Sequence, residues 1–593
     1  MTDYYETNIP VLKAKSEELN KKNRRLSSLR LVFFALFAAS LIAAFVRSMS
    51  VPLFVVSGLS IAVFIVLCVI HGRSKYEALI VEEKKLSNGR YIARMKGDFS
   101  KFPDTGEEFI NHSHPFASDL DIFGQHSVFE LYNISHSIFG RQAFANRLKC
   151  KHFDRITAES VREDQRLVEA LSSDPDFLLE YEAVGSVHPI KKVPEAMLRL
   201  CAKEKKLSRS VKLFYKLAPF LWLLPVVTLL LGYTSYAKAA VLVVILLNLL
   251  IWFFVSRPNC EDILKAGLIS KQAKAIKVRS DLIFDKAPGK ELIIPKIIDD
   301  SVKTDVDELI RSCRLCSFRE QPILALIFNV ILPFDLICAD RLIDWSVEHG
   351  SRFMDSVDSI GQLESMMSAC VPGIISRISC FPSIAEDKNA FFDGTDMVHP
   401  LLDPSKAVPN SVSIDSKTAL ITGSNMSGKT TLIRTVGIMC VLTYIGAKVP
   451  ATSVNTSIMR IMSSMRIADS LEENMSTFKA ELIRIGSIVS ASSEETPLLF
   501  LVDEVFRGTN SQDRTDGATM LLNKLNKPYI AGFMTTHDYA LCDRVAEGKL
   551  QGIVFYHFSE RYEGEEIIFD YKLKDGMSHE SNAKFLMKLV GII

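Results

Sequence analysis

The sequence lacks an excess of either charge. Its 70 lysines and arginines nearly balance 69 aspartates and glutamates, leaving a net charge of +1 over 593 residues. No global basic field announces a nucleic-acid binder, although local patches are compatible with that balance. Disulfide-like cysteine spacing is missing as well. The eleven cysteines are scattered, and only Cys313 and Cys316 form a CxxC. No second pair completes a zinc site, so these two read as helix-borne thiols, and the odd total suits a reducing compartment.

Charge is also absent from four apolar stretches, and there the sequence becomes informative. LVFFALFAASLIAAFV (31–46) and VPLFVVSGLSIAVFIVLCVI (51–70) are split by a short turn carrying Arg47. LAPFLWLLPVVTLLLGY (217–233) and AAVLVVILLNLLIWFFV (239–255) repeat the arrangement around Lys238. Each approaches the ~20 residues that cross a bilayer as helix, the first being short. Buried core helices are the alternative, but two tight hairpins that are apolar all round favour membrane. A cleaved signal peptide fits poorly, because the first stretch starts late and a second follows at once. Lysines and arginines crowd one side: Lys13, Lys21, Arg24 and Arg30 before the first hairpin, Arg73 and Lys75 after it, Lys203 to Lys216 before the second, and Arg257 and Lys265 after it. The expected topology is multi-pass in an inner or cytoplasmic membrane, with both termini and all large segments in the cytoplasm. No intramembrane Asp, Glu, Lys or Arg marks an ion path. Asn248 is the one polar residue of note, expected to hold helices together.

A phosphate cradle follows. The β-branched run TALIT (418–422) leads into Gly423-Ser424-Asn425-Met426-Ser427-Gly428-Lys429-Thr430 and an apolar-periodic helix. This is GxxxxGK[ST] in the strand–loop–helix setting it requires. Backbone N–H groups from Gly423 through Thr431 and the helix N-terminus are placed to receive phosphates. Lys429 is expected on the β- and γ-phosphates and Thr430 on Mg²⁺. The strand-like PLLFLV then ends in Asp503-Glu504. Asp503 is placed to hold Mg²⁺ through water, and Glu504 to polarise the attacking water as general base. His537, after a third strand-like run, is placed to contact the γ-phosphate and sense hydrolysis.

These residues carry a family resemblance. TGSNMSGKTTLIR resembles the phosphate loop of the MutS family, with Ser424 and Thr430 in place of that family's usual proline and serine. YIGAKVPA (444–451), ADSLEENMSTFKAEL (468–482), VDEVFRGTNSQD (502–513) and TTHDYAL (535–541) match further family segments in order. VHPLL (398–402), Asn410 and the stretch 571–591 resemble its flanking motifs. Weaker similarity at 118–148, 156–171 and 345–370 extends to the family's core and lever helices. The resemblance implies ATP with Mg²⁺, a homodimer closing through its ATPase domains, and Ser476 contacting the opposite subunit's ATP. It also implies that Asn510 and Ser511 lie in the loop between subunits, with Arg507 a further candidate there.

The departures are as specific. A membrane hairpin stands where a DNA-gripping clamp emerges in the mismatch-repair members. The N-terminal Phe-x-Glu wedge is not recognisable; Phe318-Arg319-Glu320 and Phe558-Ser559-Glu560 fit its pattern in the wrong domains. Ala407 and Val408 stand where some members have an adenine-stacking aromatic.

The expected architecture is therefore an N-terminal helix and membrane hairpin (1–96), a mostly helical core and lever region interrupted by the second hairpin (97–389), and a P-loop α/β ATPase domain of the ABC/MutS type (390–593). The expected function is a membrane-anchored MutS-like ATPase, with binding of mismatched or distorted DNA inherited by resemblance alone. The alternative is a transport or membrane-remodelling ATPase of the ABC type, against which stand the missing LSGGQ signature and spans with no polar lining. A scaffold that uses ATP only to set its conformation is the third reading.

Overall fold

The computed structural model describes residues 2–47, 50–102, 104–256, 265–297, 299, 301–386, 389–424, 426–466, 477–506, 509–548, 550–563 and 566–577. Asn425, Ser476, Arg507, Cys260 and the stretch after residue 577 lie outside them.

The first two helices, Thr2–Val46 and Val51–Lys96, form an antiparallel hairpin. Pro52 falls in the first turn of the second helix, where a missing N–H costs little. Gly97 closes that helix in the left-handed conformation at φ 70°, returning its N–H to the last turn. Both helices run well beyond the apolar stretches. The polar end of Val51–Lys96 packs against the helix Pro175–Val187, where Arg90 Nε lies 2.7 Å from the buried Glu182. The apolar ends do not enter a core: Leu31, Ile42, Val46, Val51 and Leu59 are each more than half exposed. Among the described residues four helices are long and apolar enough to cross a membrane: Tyr4–Val46, Val51–Lys96, Arg209–Leu230 and Thr234–Ser256.

The helical body is organised by one 42-residue helix, Phe334–Ile375, here termed the return helix. It crosses the helix Ile138–Leu148 at two glycines. A Cβ on Gly361 would lie 2.8 Å from Phe139 Cβ and 2.9 Å from its carbonyl carbon, and one on Gly140 would overlap Glu364. Glu364, buried at this crossing, accepts from Arg279 Nε at 2.9 Å and Tyr181 Oη at 3.1 Å, which offsets the cost of burying its charge. Cys313 and Cys316 lie buried one turn apart on the helix Ser301–Ser317.

The C-terminal region holds two sheets. Strands β1 (Ser383–Ala385), β2 (Phe391–Met397), β3 (Asn410–Asp415) and β5 (Ser453–Ser457) form a mixed sheet in the order β1-β5-β2-β3. Strands β4 (Thr418–Thr422), β6 (Arg460–Ser464), β7 (Leu498–Asp503), β8 (Ile530–Thr535), β9 (Ile553–Glu563) and β10 (Glu566–Asp575) form the other, ordered β10-β9-β4-β8-β7-β6. Its strands are parallel except for the edge strand β10. The continuous apolar runs of β4, β7 and β8 suit a parallel sheet covered on both faces, and β4 and β8 are buried throughout. One hydrophobic core joins the helical body to one face of this sheet: Leu120 packs so close to the helix Lys429–Tyr444 that a Cβ on Gly437 would sit 2.8 Å from it. A second cluster covers the opposite face.

Candidate active site

β4 ends at Thr422, a loop follows, and the helix Lys429–Tyr444 begins. Two loop positions need glycine. Gly423 sits at φ 141°, where a Cβ would lie 2.9 Å from Phe558 O, and Gly428 sits at φ 108°. The loop is folded on itself. Ser427 Oγ donates to Ser424 O at 2.9 Å, and the Ser424 hydroxyl bonds Glu560. The buried Lys429 ammonium donates to Gly423 O at 2.8 Å and Ser424 O at 2.7 Å. Met426 points outward, 84% exposed.

The carboxyl ends of β7 and β8 bring the acidic pair and the histidine to this loop. Asp503 Oδ2 accepts from Thr430 Oγ1 at 3.1 Å, and its Oδ1 accepts from Thr535 Oγ1 at 2.6 Å. Glu504 follows in the left-handed region at φ 52°, its N–H donating to Thr535 Oγ1 at 3.1 Å. Its Oε1 lies 2.7 Å from His537 Nε2, which is also 3.2 Å from Lys429 Nζ. A neutral imidazole offers that nitrogen either as a donor to Glu504 or as an acceptor from Lys429. Which of these two contacts is a hydrogen bond is set by the state of the ring nitrogen.

A cavity of about 750 Å³ opens beside the loop. Ser424, Met426, Gly428, Lys429, Thr430, Thr431, Asp503 and Glu504 line one part of it. The other part is lined by His399 and Leu402 of the flanking motif, by Val408 at the position of the adenine-stacking aromatic, and by Met397, Phe558 and Tyr571, whose place in the site the sequence did not reveal. Tyr571 sits at φ 51° in a bulge of β10, and Asn410 clamps that bulge by donating to Tyr571 O at 2.9 Å and accepting from Leu573 N at 2.7 Å. Asn410, the polar residue of the upstream motif, thus aims an aromatic ring at the cavity. Burial, with the Arg434 guanidinium nearby, pushes the His399 imidazole down to about 3, so it stays neutral.

Asn510, expected from the resemblance in the loop between subunits, has a local role in the single chain. It is not among the residues lining this cavity; it caps the helix Ser511–Leu525, its Oδ1 accepting from Asp513 N at 2.8 Å. His537 reaches the site through Glu504 and Lys429. The two aspartates of the stretch SDLDIF were also missed. Buried Asp119 accepts from Ser463 Oγ at 2.6 Å, Arg466 N at 3.0 Å and Arg484 Nη1 at 2.9 Å. Asp121 pairs with Arg434 at 3.0 Å and with Arg466. These ion pairs tie the helical body to the phosphate-loop helix and to both sides of the segment 467–476. Their only signal in the sequence was the weak similarity at 118–148.

A parallel sheet with this loop at its centre and an acidic pair at the neighbouring strand end defines an α/β domain of the ATPase type. A family model described as MutS domain V matches residues 419–592, so this stretch is a domain of the MutS-family type. The DNA mismatch repair protein MutS of Pelotomaculum thermopropionicum is 34% identical over 266 residues, covering 42% of this chain and 30% of that protein. MutS of Oleidesulfovibrio alaskensis is 32% identical over 215 residues, 34% and 23% of the two chains. The DNA mismatch repair protein MSH3 of Vanderwaltozyma polyspora is 30% identical over 208 residues, 33% and 20%. The matched region thus spans less than a third of each of these relatives.

Proposed function

We propose that the protein is a membrane-anchored MutS-like ATPase, built as an anchor (1–96), a helical core and lever (97–389) and a nucleotide domain (390–593). The observation that carries this reading is the convergence of Lys429, Thr430, Asp503 and Glu504 on the 750 Å³ cavity, with His537 2.7 Å from Glu504 behind them. The residues fit Mg²⁺-ATP. Thr430 Oγ1 and Asp503 Oδ2 are hard oxygen donors already 3.1 Å apart, suited to a magnesium ion that keeps most of its water and phosphate ligands. The apolar and aromatic wall at Val408, Phe558 and Tyr571 suits a base.

The nucleotide supplies a transferable γ-phosphoryl group when bound. Lys429 leaves the carbonyls of Gly423 and Ser424 to neutralise phosphate charge, and backbone N–H groups of the loop orient it. Once Lys429 is drawn away, His537 Nε2 is committed to Glu504, and that bond holds the carboxylate in place as general base toward water. By the family resemblance, two such domains close as a homodimer with Ser476 acting across the interface. The matched relatives are named for DNA mismatch repair; DNA binding is proposed here by that relationship alone.

The test uses the full chain in lipid nanodiscs. Glu504→Gln is expected to keep ATP binding and lose at least about 100-fold in turnover, whereas Lys429→Ala loses binding. Normal hydrolysis by Glu504→Gln would remove that residue from the general-base role. Stimulation of turnover by mismatched or branched duplexes, weakening steeply with salt, would support the DNA arm.

A further inference from the structure

Between Glu320 and Asp335 the chain has no charged side chain, and Pro322–Ile331 within it forms a short apolar helix. Ala325 and Asn329 are buried, while Ile323, Leu324, Leu326, Ile327 and Ile331 are exposed, Ile323 by 74%. Ten residues make a helix of about 15 Å, half the ~30 Å hydrocarbon thickness, so this element does not span. It is bent 96° from the return helix at the break between them.

Its docking is specific. The last carbonyls of a helix have no partner within it, and here they are satisfied from the second apolar hairpin. Asn248 Nδ2 donates to Val330 O at 2.8 Å and to Ile331 O at 3.2 Å. Trp222 Nε1 donates to Ile331 O at 2.7 Å. Both donors belong to the candidate spans Thr234–Ser256 and Arg209–Leu230. Across the bend, Asn329 Nδ2 donates to Asp335 Oδ1 at 3.0 Å, Trp252 Nε1 donates to Asp335 Oδ2 at 2.8 Å, and Arg319 Nε lies 2.7 Å from Asp335 Oδ1. The carboxylate at the foot of the return helix is thereby neutralised and fully paired beside an apolar surface. Just beyond it, Lys212 pairs with Asp340 at 2.7 Å and with Asp344 at 2.8 Å, so the half-helix lies where apolar surface gives way to charge.

We propose that Pro322–Ile331 is a fifth membrane element, a half-helix seated among the acyl chains of the leaflet nearest the nucleotide domain. Its partner is lipid, because its exposed apolar side chains adjoin the hairpin that caps its end, whose own apolar side chains are equally exposed, and one medium surrounds both. The inference rests on reading the four long apolar helices as membrane spans.

A photoreactive benzophenone amino acid placed at Ile323, Ile327, Leu36 or Met520 of the full chain, in native membranes, tests it by mass spectrometry of the adducts. Leu36 reports the first hairpin, and Met520, 73% exposed on Ser511–Leu525, reports the nucleotide domain. Lipid adducts are expected at Ile323, Ile327 and Leu36, and none at Met520. Lipid at Leu36 without lipid at Ile323 and Ile327, or protein adducts at these two, overturns the half-helix and leaves the anchor standing. No lipid at Leu36 overturns the anchor and the half-helix together.

Discussion

One nitrogen, His537 Nε2, faces both Lys429 and the proposed general base, Glu504. Lys429, Asp503, Glu504 and His537 were legible in the sequence because each stands at a fixed offset from a strand end. Phe558, Tyr571 and Asp119 were not. Asn410 bonds Tyr571 across 161 positions, and Asp119 meets Arg484 across 365, and no local spacing encodes such pairings. His399 gives a prediction at this scale. Its folded value near 3 lies below the ordinary value of 6.5, so the unfolded chain takes up a proton that the folded one refuses. Its contribution is therefore complete above pH 6.5 and declines as pH falls toward 3, by about 1.4 kcal/mol per unit. His399→Gln should flatten the fall in urea midpoint between pH 6.5 and pH 5, and an unchanged slope would count against a neutral buried ring.

Among the elements, the strands β4, β7 and β8 were readable as apolar runs bounded by turn residues. The mixed sheet β1-β5-β2-β3 was not, since its strands alternate burial and come from distant stretches. The apolar helix Pro322–Ile331 escaped notice because ten residues fall short of a span. Helix crossings are equally hidden, since a glycine in a sequence does not say which backbone approaches it. At Gly361 the neighbour includes the main chain of Phe139, which cannot rotate away. Gly361→Ala should force the return helix from Ile138–Leu148 and lower stability by about 1–3 kcal/mol, seen as an earlier urea midpoint. A variant as stable as the parent would show that the crossing has slack.

At the scale of the whole molecule, the apolar hairpins leave side chains such as Val46 and Leu230 about four-fifths exposed, a surface that water disfavours strongly. Alkaline carbonate should therefore leave the chain in the membrane pellet, with only detergent releasing it; recovery in the supernatant would remove the anchor. The return helix then acquires a mechanical meaning. Its 42 residues form a rod of about 63 Å, with Asp335 held by Trp252 of the apolar hairpin at one end and Gly373 against Lys448, beyond the phosphate-loop helix, at the other. A tilt of 5° about either end displaces the far end by about 5 Å. With the hairpins embedded as proposed, stretching or thinning the lipid sheet would tilt this rod against the nucleotide domain, and turnover in vesicles should then vary with lateral tension.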